Sequence, residues 1–170
     1  MSGTLIITSG AYAGPDFVSN FGLLPPAFLP IGNKRLYDTQ AGLVTDVEAR
    51  KLLSIPADFE ITSNEAKHIG SLGFELIRVP LGLSLGASIA DVLRQADINS
   101  GELRILHGDT LVLDFPFGRL DVVSEGMTAE YYSWAEFKTS ADGKIYYFDG
   151  LLEGSAFNSP GGKRLSLIHI

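Results

Sequence analysis

Leu24-Pro25-Pro26-Ala27-Phe28-Leu29-Pro30-Ile31-Gly32-Asn33-Lys34-Arg35-Leu36 comes shortly after the apolar run Leu5-Ile6-Ile7, with a glycine-containing loop between them. The order reads strand, glycine loop, proline-rich loop, helix, which is how an open α/β domain begins. Further along, Leu103-Arg104-Ile105-Leu106-His107-Gly108-Asp109-Thr110 reads as a buried strand that ends in a carboxylate on a tight turn.

Working outward from these runs, residues 4–9 form a short continuous apolar strand, as expected in a buried parallel sheet. Residues 10–30 hold several Gly and Pro without a period and read as loop. A helix starts at Lys34 or Arg35 and runs to about Gln40, and Leu29, Ile31 and Leu36 read as core. A strand over 49–54 is stopped by Pro56. Thr62-Ser63-Asn64-Glu65 is a capping-box pattern that opens a helix through Ser71, with Gly73 past its end. Residues 74–79 form the next strand, closed by Pro80. Ser84 caps a helix over 87–95, in which Ile89, Val92, Leu93 and Ala96 fall at helical spacing. Strand 103–106 follows. This alternation predicts a Rossmann-like α/β fold: a mixed, mainly parallel sheet with helices on both faces.

After Asp109 the pattern changes to strands over 111–115, 120–124, 129–138 and 144–148, with Ala141-Asp142-Gly143-Lys144 as a hairpin turn. They are expected to extend the sheet as an antiparallel part of one domain over 1–164, read as an incomplete one. The last residues, Leu165-Ser166-Leu167-Ile168-His169-Ile170, read in two ways. They are either a non-native tail similar to translated sequencing-adapter read-through or a terminal edge strand.

With 170 residues, 45% hydrophobic and 19% charged, the chain has the composition of one soluble domain with a real core. The net charge of −7 argues against a nucleic-acid surface. The absence of Cys excludes a disulfide framework and thiolate chemistry. Leu5-Ile6-Ile7 is too short for a signal segment or a membrane span, so a cytoplasmic protein is expected.

Open parallel sheets bind ligands at the carboxyl ends of their strands. Three such ends stand out: Ser9-Gly10-Ala11, the loop containing Gly82, Gly86 and Ala87, and His107-Gly108-Asp109. Glycine lets a backbone approach a base or phosphate closely, and backbone N–H groups supply donors. Taken singly, each glycine is explained at least as well by turn geometry. Asp109, just past a buried strand, is placed to hold Mg²⁺, a hard cation that shares oxygen ligands with phosphates; the alternative is a cap on the turn. His107 is left out of the chemistry. Lys34 and Arg35 at a helix start oppose the helix dipole, which points to an anionic neighbour or to solvated surface charge.

Several runs together resemble the sugar-phosphate nucleotidyltransferases. Ala27-Phe28-Leu29-Pro30-Ile31-Gly32-Asn33-Lys34-Arg35-Leu36 is similar to that family's Leu-Leu-Pro-Ile-x-Asn-Lys-Pro-Leu run. Leu81-Gly82 through Gly86-Ala87-Ser88-Ile89 resembles its nucleotide-contacting Pro-Leu-Gly-Thr-Ala-Gly-Ala loop, and Leu106-His107-Gly108-Asp109-Thr110 its Asn-Gly-Asp metal site. Asp142-Gly143-Lys144-Ile145 resembles its Asp-Gly-Lys-Ile hairpin. The resemblance implies the nucleotide-diphospho-sugar transferase fold and the transfer of a nucleotidyl group from a nucleoside triphosphate to a sugar phosphate, in surface-polysaccharide (capsule) assembly. It implies Mg²⁺ on Asp109 and a nucleotide lined by Ser9, Gly10, Ala11, Gly82, Gly86 and Ala87. Two cations of the family pattern are replaced. Gly10-Ala11-Tyr12-Ala13-Gly14-Pro15-Asp16 holds no basic residue, and Pro26 stands at the family's Lys. A catalytically silent relative that binds a nucleotide or nucleotide sugar therefore stays open. So does a glycosyltransferase of the same fold, although Asp109-Thr110-Leu111 lacks its usual Asp-x-Asp.

Overall fold

The computed structural model describes residues 3–113 with their side chains, and the backbone of four later strands. The chain divides into two compact units, Met1–Gly118 and Arg119–Ile170.

The first unit runs β1 (Gly3–Thr8), α1 (Pro15–Phe21), a 3₁₀ turn (Pro26–Phe28), β2 (Pro30–Ile31), β3 (Lys34–Arg35) and α2 (Leu36–Leu43). It continues with β4 (Ala49–Pro56), α3 (Ser63–Ser71), β5 (Phe74–Val79), α4 (Leu85–Gln95) and β6 (Leu103–His107). Four of these strands form one sheet in the order β5-β4-β1-β6, with every pairing parallel. The chain builds outward from β1 through β4 to β5, then returns to place β6 on the other side of β1. This is the α/β architecture the alternation predicts, and it puts a topological switch point between the carboxyl ends of β1 and β6.

Both faces of the sheet are covered. Ile6, Leu52, Ile77, Val79 and Leu103 pack with Ile89, Val92, Leu93 and Ala96 of α4 and its exit. The alternate residues Leu5, Ile7, Leu53, Ile55 and Leu106 point to the opposite face and are equally buried. Right-handed crossovers place α2 and α3 on that second face, because the chain moves across the sheet in the opposite sense when it enters α4. The central strand β1 is buried on both sides and needs no polar alternation, which is why Leu5-Ile6-Ile7 reads as an unbroken apolar run.

The helix ends follow their local signals. Thr62 Oγ1 accepts the Glu65 N–H at 3.2 Å, and Gly73 takes φ +85° just past α3. Ser84 Oγ accepts the Ala87 N–H at 3.3 Å, so α4 starts two residues before the predicted Ala87. At the amino end of the sheet, Arg50 forks onto Glu75 with two 2.8 Å bonds and donates to the Ala96 carbonyl at 2.6 Å. Hydrogen bonding from Arg50 holds the Glu75 carboxyl below its usual range. The folded form therefore gains from this pair above the ordinary carboxylate pKa and loses the gain as pH falls through the lowered value. Both side chains are about half exposed, so Glu75→Gln is expected to cost no more than about 0.5 kcal/mol and to flatten the acid limb of stability slightly. Denaturation midpoints at two pH values check this.

Several expectations are corrected. Residues 10–30 are not all loop: α1 lies within them, with Pro15 at its start and Gly22 at φ +74° beyond its end. None of its residues is buried, so there is no apolar stripe to betray it. Phe17 and Phe21 stack on each other at the surface, and Phe21→Ser is expected to change stability by less than about 0.5 kcal/mol while improving solubility. Ile31 is not core; it is 44% exposed. It pairs with Lys34 in the small β2-β3 hairpin, which Gly32 at φ +59° allows to turn. That hairpin also moves Lys34 and Arg35 out of the helix. Residues 111–113 are not strand, and Leu113 is the most exposed large apolar side chain among the described residues.

In the second unit, β7 (Val123–Gly126), β8 (Trp134–Thr139), β9 (Ile145–Leu152) and β10 (Arg164–His169) form a separate sheet. Its order is β7-β10-β8-β9 and its pairings are antiparallel. The antiparallel strands thus make a sheet of their own instead of extending the parallel one. The predicted hairpin residues Ala141-Asp142-Gly143-Lys144 lie outside the described residues, between the paired Thr139 and Ile145. β10 occupies an inner position, not an edge. Among the described residues, no helix is long and apolar enough to cross a membrane.

Candidate functional site

The switch point brings the three predicted strand ends together. Gly108 donates its N–H to the Thr8 carbonyl at 2.9 Å, which carries the hydrogen-bonding of β6 one residue past its end. A β-carbon at Gly108 would fall 2.7 Å from the Thr8 carbonyl oxygen and 2.9 Å from Ser9 Cβ, so the turn before Asp109 lies directly on the end of β1. On the other side, a β-carbon at Gly10 would fall 2.2 Å from Val79 Cγ2 and 3.1 Å from Ser88 Oγ. The end of β1 therefore also touches the end of β5 and the first turns of α4.

The individual residues have different surroundings. Ser9 is 1% exposed, and its polar groups are committed. Its N–H donates to Ser54 Oγ at 3.0 Å, and its hydroxyl oxygen accepts the Ala27 N–H at 2.9 Å. It ties β1 to β4 and to the Pro26–Phe28 turn, and so holds the end of β1 in place. Gly10 is half-buried; Ala11, Gly82, Gly86 and Ala87 are exposed. Gly82 needs its glycine for the backbone, at φ +80°. Gly86 does not: its φ is ordinary and a β-carbon there would meet nothing within 4 Å. At the start of α4, the Ala87 N–H is capped by Ser84, while the N–H groups of Leu85 and Gly86 have no intrahelical acceptor. Asp109 is exposed and accepts one hydrogen bond, from Thr110 Oγ1 at 3.0 Å.

This donor set bears on the implied Mg²⁺. Among the described residues no three His, Cys, Asp or Glu side chains cluster in a way that would hold a metal. A single exposed carboxylate does not make an all-protein metal cage. It does fit the usual mode of Mg²⁺, in which one or two carboxylates share the ion with substrate phosphates and water.

Sequence reasoning missed Gln40. This α2 side chain is fully buried and its Nε2 donates to the carbonyls of His107, Gly108 and Thr110 at 3.0, 3.2 and 2.9 Å. A signal was present: Leu36, Tyr37, Gln40, Ala41 and Val44 form a buried helical stripe, and Gln40 is its one polar member without an aromatic ring.

The cations lie elsewhere. Lys34 and Arg35 line an open groove of about 670 Å³ with Pro30, Asn33, Asp38 and His68, and none of the predicted site residues borders it. Of the two readings of these cations, Arg35 has an anionic neighbour in Glu65 at 3.6 Å, and its Nη1 also donates to the Phe28 carbonyl at 3.1 Å, while Lys34 is exposed surface charge. Asp38 accepts the Arg35 backbone N–H at 3.1 Å and meets His68 Nε2 at 2.6 Å, tying α2 to α3. Burial, reinforced by Glu65 and Asp38, raises the Tyr37 phenol well above its ordinary value, so it stays protonated and donates to Glu65 at 3.3 Å. The loops at the carboxyl edge, residues 9–33, 80–88 and 107–113, contain no Lys or Arg. The chain matches no protein-family model and no curated protein.

Proposed function

We propose that this chain binds a nucleoside triphosphate at the β1/β6 switch point and transfers its nucleotidyl group to a sugar phosphate or a similar phosphorylated alcohol, in surface-polysaccharide assembly. The observation that carries the reading is the convergence of Gly10, the start of α4 and Asp109 on one carboxyl edge, where open α/β sheets take their ligands. In the reaction an oxygen of the sugar phosphate attacks the α-phosphorus, the bond from that phosphorus to the bridging oxygen breaks, and pyrophosphate leaves. The attacking phosphate is already ionised, so no general base is needed, and the protein's task is positioning. Gly10 would seat the end of β1 against Val79 so that the exposed Ala11 backbone faces the nucleotide, and the N–H groups of Leu85 and Gly86, which have no intrahelical acceptor, would supply donors for its phosphates. Mg²⁺, held by Asp109 together with the phosphates, would neutralise charge on the transferred group. These substrates are cytoplasmic, and the proposal places the chain there.

One observation favours a second reading, a relative that binds a nucleotide or nucleotide sugar without turning it over. Residues 9–33, 80–88 and 107–113 hold no Lys or Arg, and charge developing on a transferred phosphoryl group is normally met by such cations as well as by metal. The experiment is pyrophosphate release by the full chain with Mg²⁺ across a matrix of nucleoside triphosphates and sugar 1-phosphates. Release that requires both substrates is the expected result. No release, with a saturable thermal shift by a nucleotide or nucleotide sugar, selects the second reading. Neither signal overturns both.

Gly86 gives an independent check. Alanine there has open space and a better helix propensity, so Gly86→Ala is expected to leave the fold unchanged or to stabilise it by up to about 1 kcal/mol. If a nucleotide lies against Gly86, the same variant weakens nucleotide binding. A variant that is stabilised and binds as well as the parent removes Gly86 from the site.

A further inference from the structure

We propose that Gln40 is the positioning residue of the switch-point site: its buried amide fixes the turn at 107–110 and with it the direction of the Asp109 carboxylate. The inference rests on the reading of Asp109 as the ligand-facing carboxylate.

The geometry is specific. Gln40 Nε2 meets three carbonyls, of His107, Gly108 and Thr110, on both sides of Asp109 in sequence. Two amide hydrogens serve three acceptors, so at least one bond is shared. Three carbonyls in one place admit only the NH₂ end of an amide, so the acceptors themselves fix which way it faces. The consequence is that Gln40 Oε1 is buried and has no hydrogen-bond partner among the described residues. A side chain that leaves its own acceptor unpaired while its donors are fully engaged is arranged for the turn and not for its own satisfaction. Besides the seating of Gly108 on the end of β1, the described residues give the turn few other bonds. Its backbone bonds are Gly108 N–H to the Thr8 carbonyl at 2.9 Å and Thr110 N–H to the His107 carbonyl at 3.2 Å, and the Asp109 side chain bonds only to its neighbour Thr110. Because Gln40 sits on α2, anchored to α3 through Asp38–His68 and Tyr37–Glu65, the turn is referenced to the helix layer as well as to the sheet.

The test uses Gln40→Met in the full chain, which keeps the buried volume and removes the amide. Hydrogen exchange at the Gly108 and Thr110 amides is expected to rise at least tenfold. Affinity for Mn²⁺, titrated by electron paramagnetic resonance with each of the four common nucleoside triphosphates, is expected to fall at least tenfold. Val92→Ala, a packing loss in the α4 layer, is the control and leaves both within twofold. Equal exchange and equal Mn²⁺ affinity in the two variants overturn the proposal. So does faster exchange with unchanged affinity in a chain whose Mn²⁺ binding Asp109→Ala abolishes. If Asp109→Ala binds Mn²⁺ as the parent does, the nucleotide reading fails, while the exchange comparison still decides whether Gln40 holds the turn. If the methionine variant does not fold, the parent chain decides: the Gln40 side-chain protons and the Thr110 amide exchange at one common rate if they open together, and at rates more than tenfold apart if they do not.

Discussion

Gly108→Ala is expected to destabilise the parallel-sheet unit by about 2–3 kcal/mol, the upper range for forcing a methyl group into packed structure. The new β-carbon would stand 2.7 Å from the Thr8 carbonyl oxygen, 2.9 Å from Ser9 Cβ and 3.2 Å from the Ala27 backbone nitrogen. Two of these are backbone atoms, and no side chain can rotate to make room for them. Moving the turn away stretches the 2.9 Å bond from the Gly108 N–H to the Thr8 carbonyl and pulls on all three Gln40 bonds. Gly10→Ala belongs to the same class, because its β-carbon would stand 2.2 Å from the fully buried Val79 side chain. Gly86→Ala is the contrast, with nothing within 4 Å. Amide exchange of the β1 and β6 strands reads the stability of this unit separately from the second sheet. If Gly108→Ala lies within about 0.5 kcal/mol of the parent, the close seating of the Asp109 turn on β1 is wrong.

These glycines also show what was legible in the sequence. Leu5-Ile6-Ile7 announces itself because a central strand buried on both faces has no polar positions to blur it, while residues 74–79 and 103–106, at the two edges of the sheet, keep an apolar majority around Glu75, Arg78 and Arg104. The Thr62–Glu65 box and Ser84 mark helix starts through local hydrogen bonds, which need no tertiary information. What stayed hidden depends on long-range contacts. Nothing near Gln40 in sequence says that its amide reaches residues 107–110, and nothing near Ser9 says that its hydroxyl is taken by Ala27. α1 stayed hidden for the opposite reason, having no buried face to impose a period, although Pro15 and Gly22 bracket it. Lys34 and Arg35 read as a helix start because a two-residue hairpin is too short to leave a pattern. The ligand-facing part of the site was legible as a set of strand ends, and its supporting layer was not.

Asp109→Ala and Asp109→Asn are together expected to separate the two roles of that carboxylate. Asp109 is exposed, and its one described side-chain hydrogen bond is from Thr110, so neither variant should shift stability by more than about 0.5 kcal/mol. If the residue were only a turn cap, asparagine would preserve the function, because its amide oxygen can accept the Thr110 hydrogen bond as the carboxylate does. If it holds Mg²⁺, the negative charge is what matters, and asparagine should fail almost as badly as alanine. Both variants are then expected to lower Mg²⁺-dependent pyrophosphate release by roughly 100-fold or more, since metal charge neutralisation is worth several kcal/mol in the transition state. The same loss should appear on adding a chelator to the parent chain, and the chelator should add nothing further to either variant. With no Lys or Arg in residues 9–33, 80–88 and 107–113 to share the phosphate charge, the dependence on this one carboxylate should be steeper than in a site that also carries an arginine clamp. An asparagine variant that releases pyrophosphate at the parent rate would return Asp109 to the role of a cap and leave the crevice without a metal ligand among the described residues.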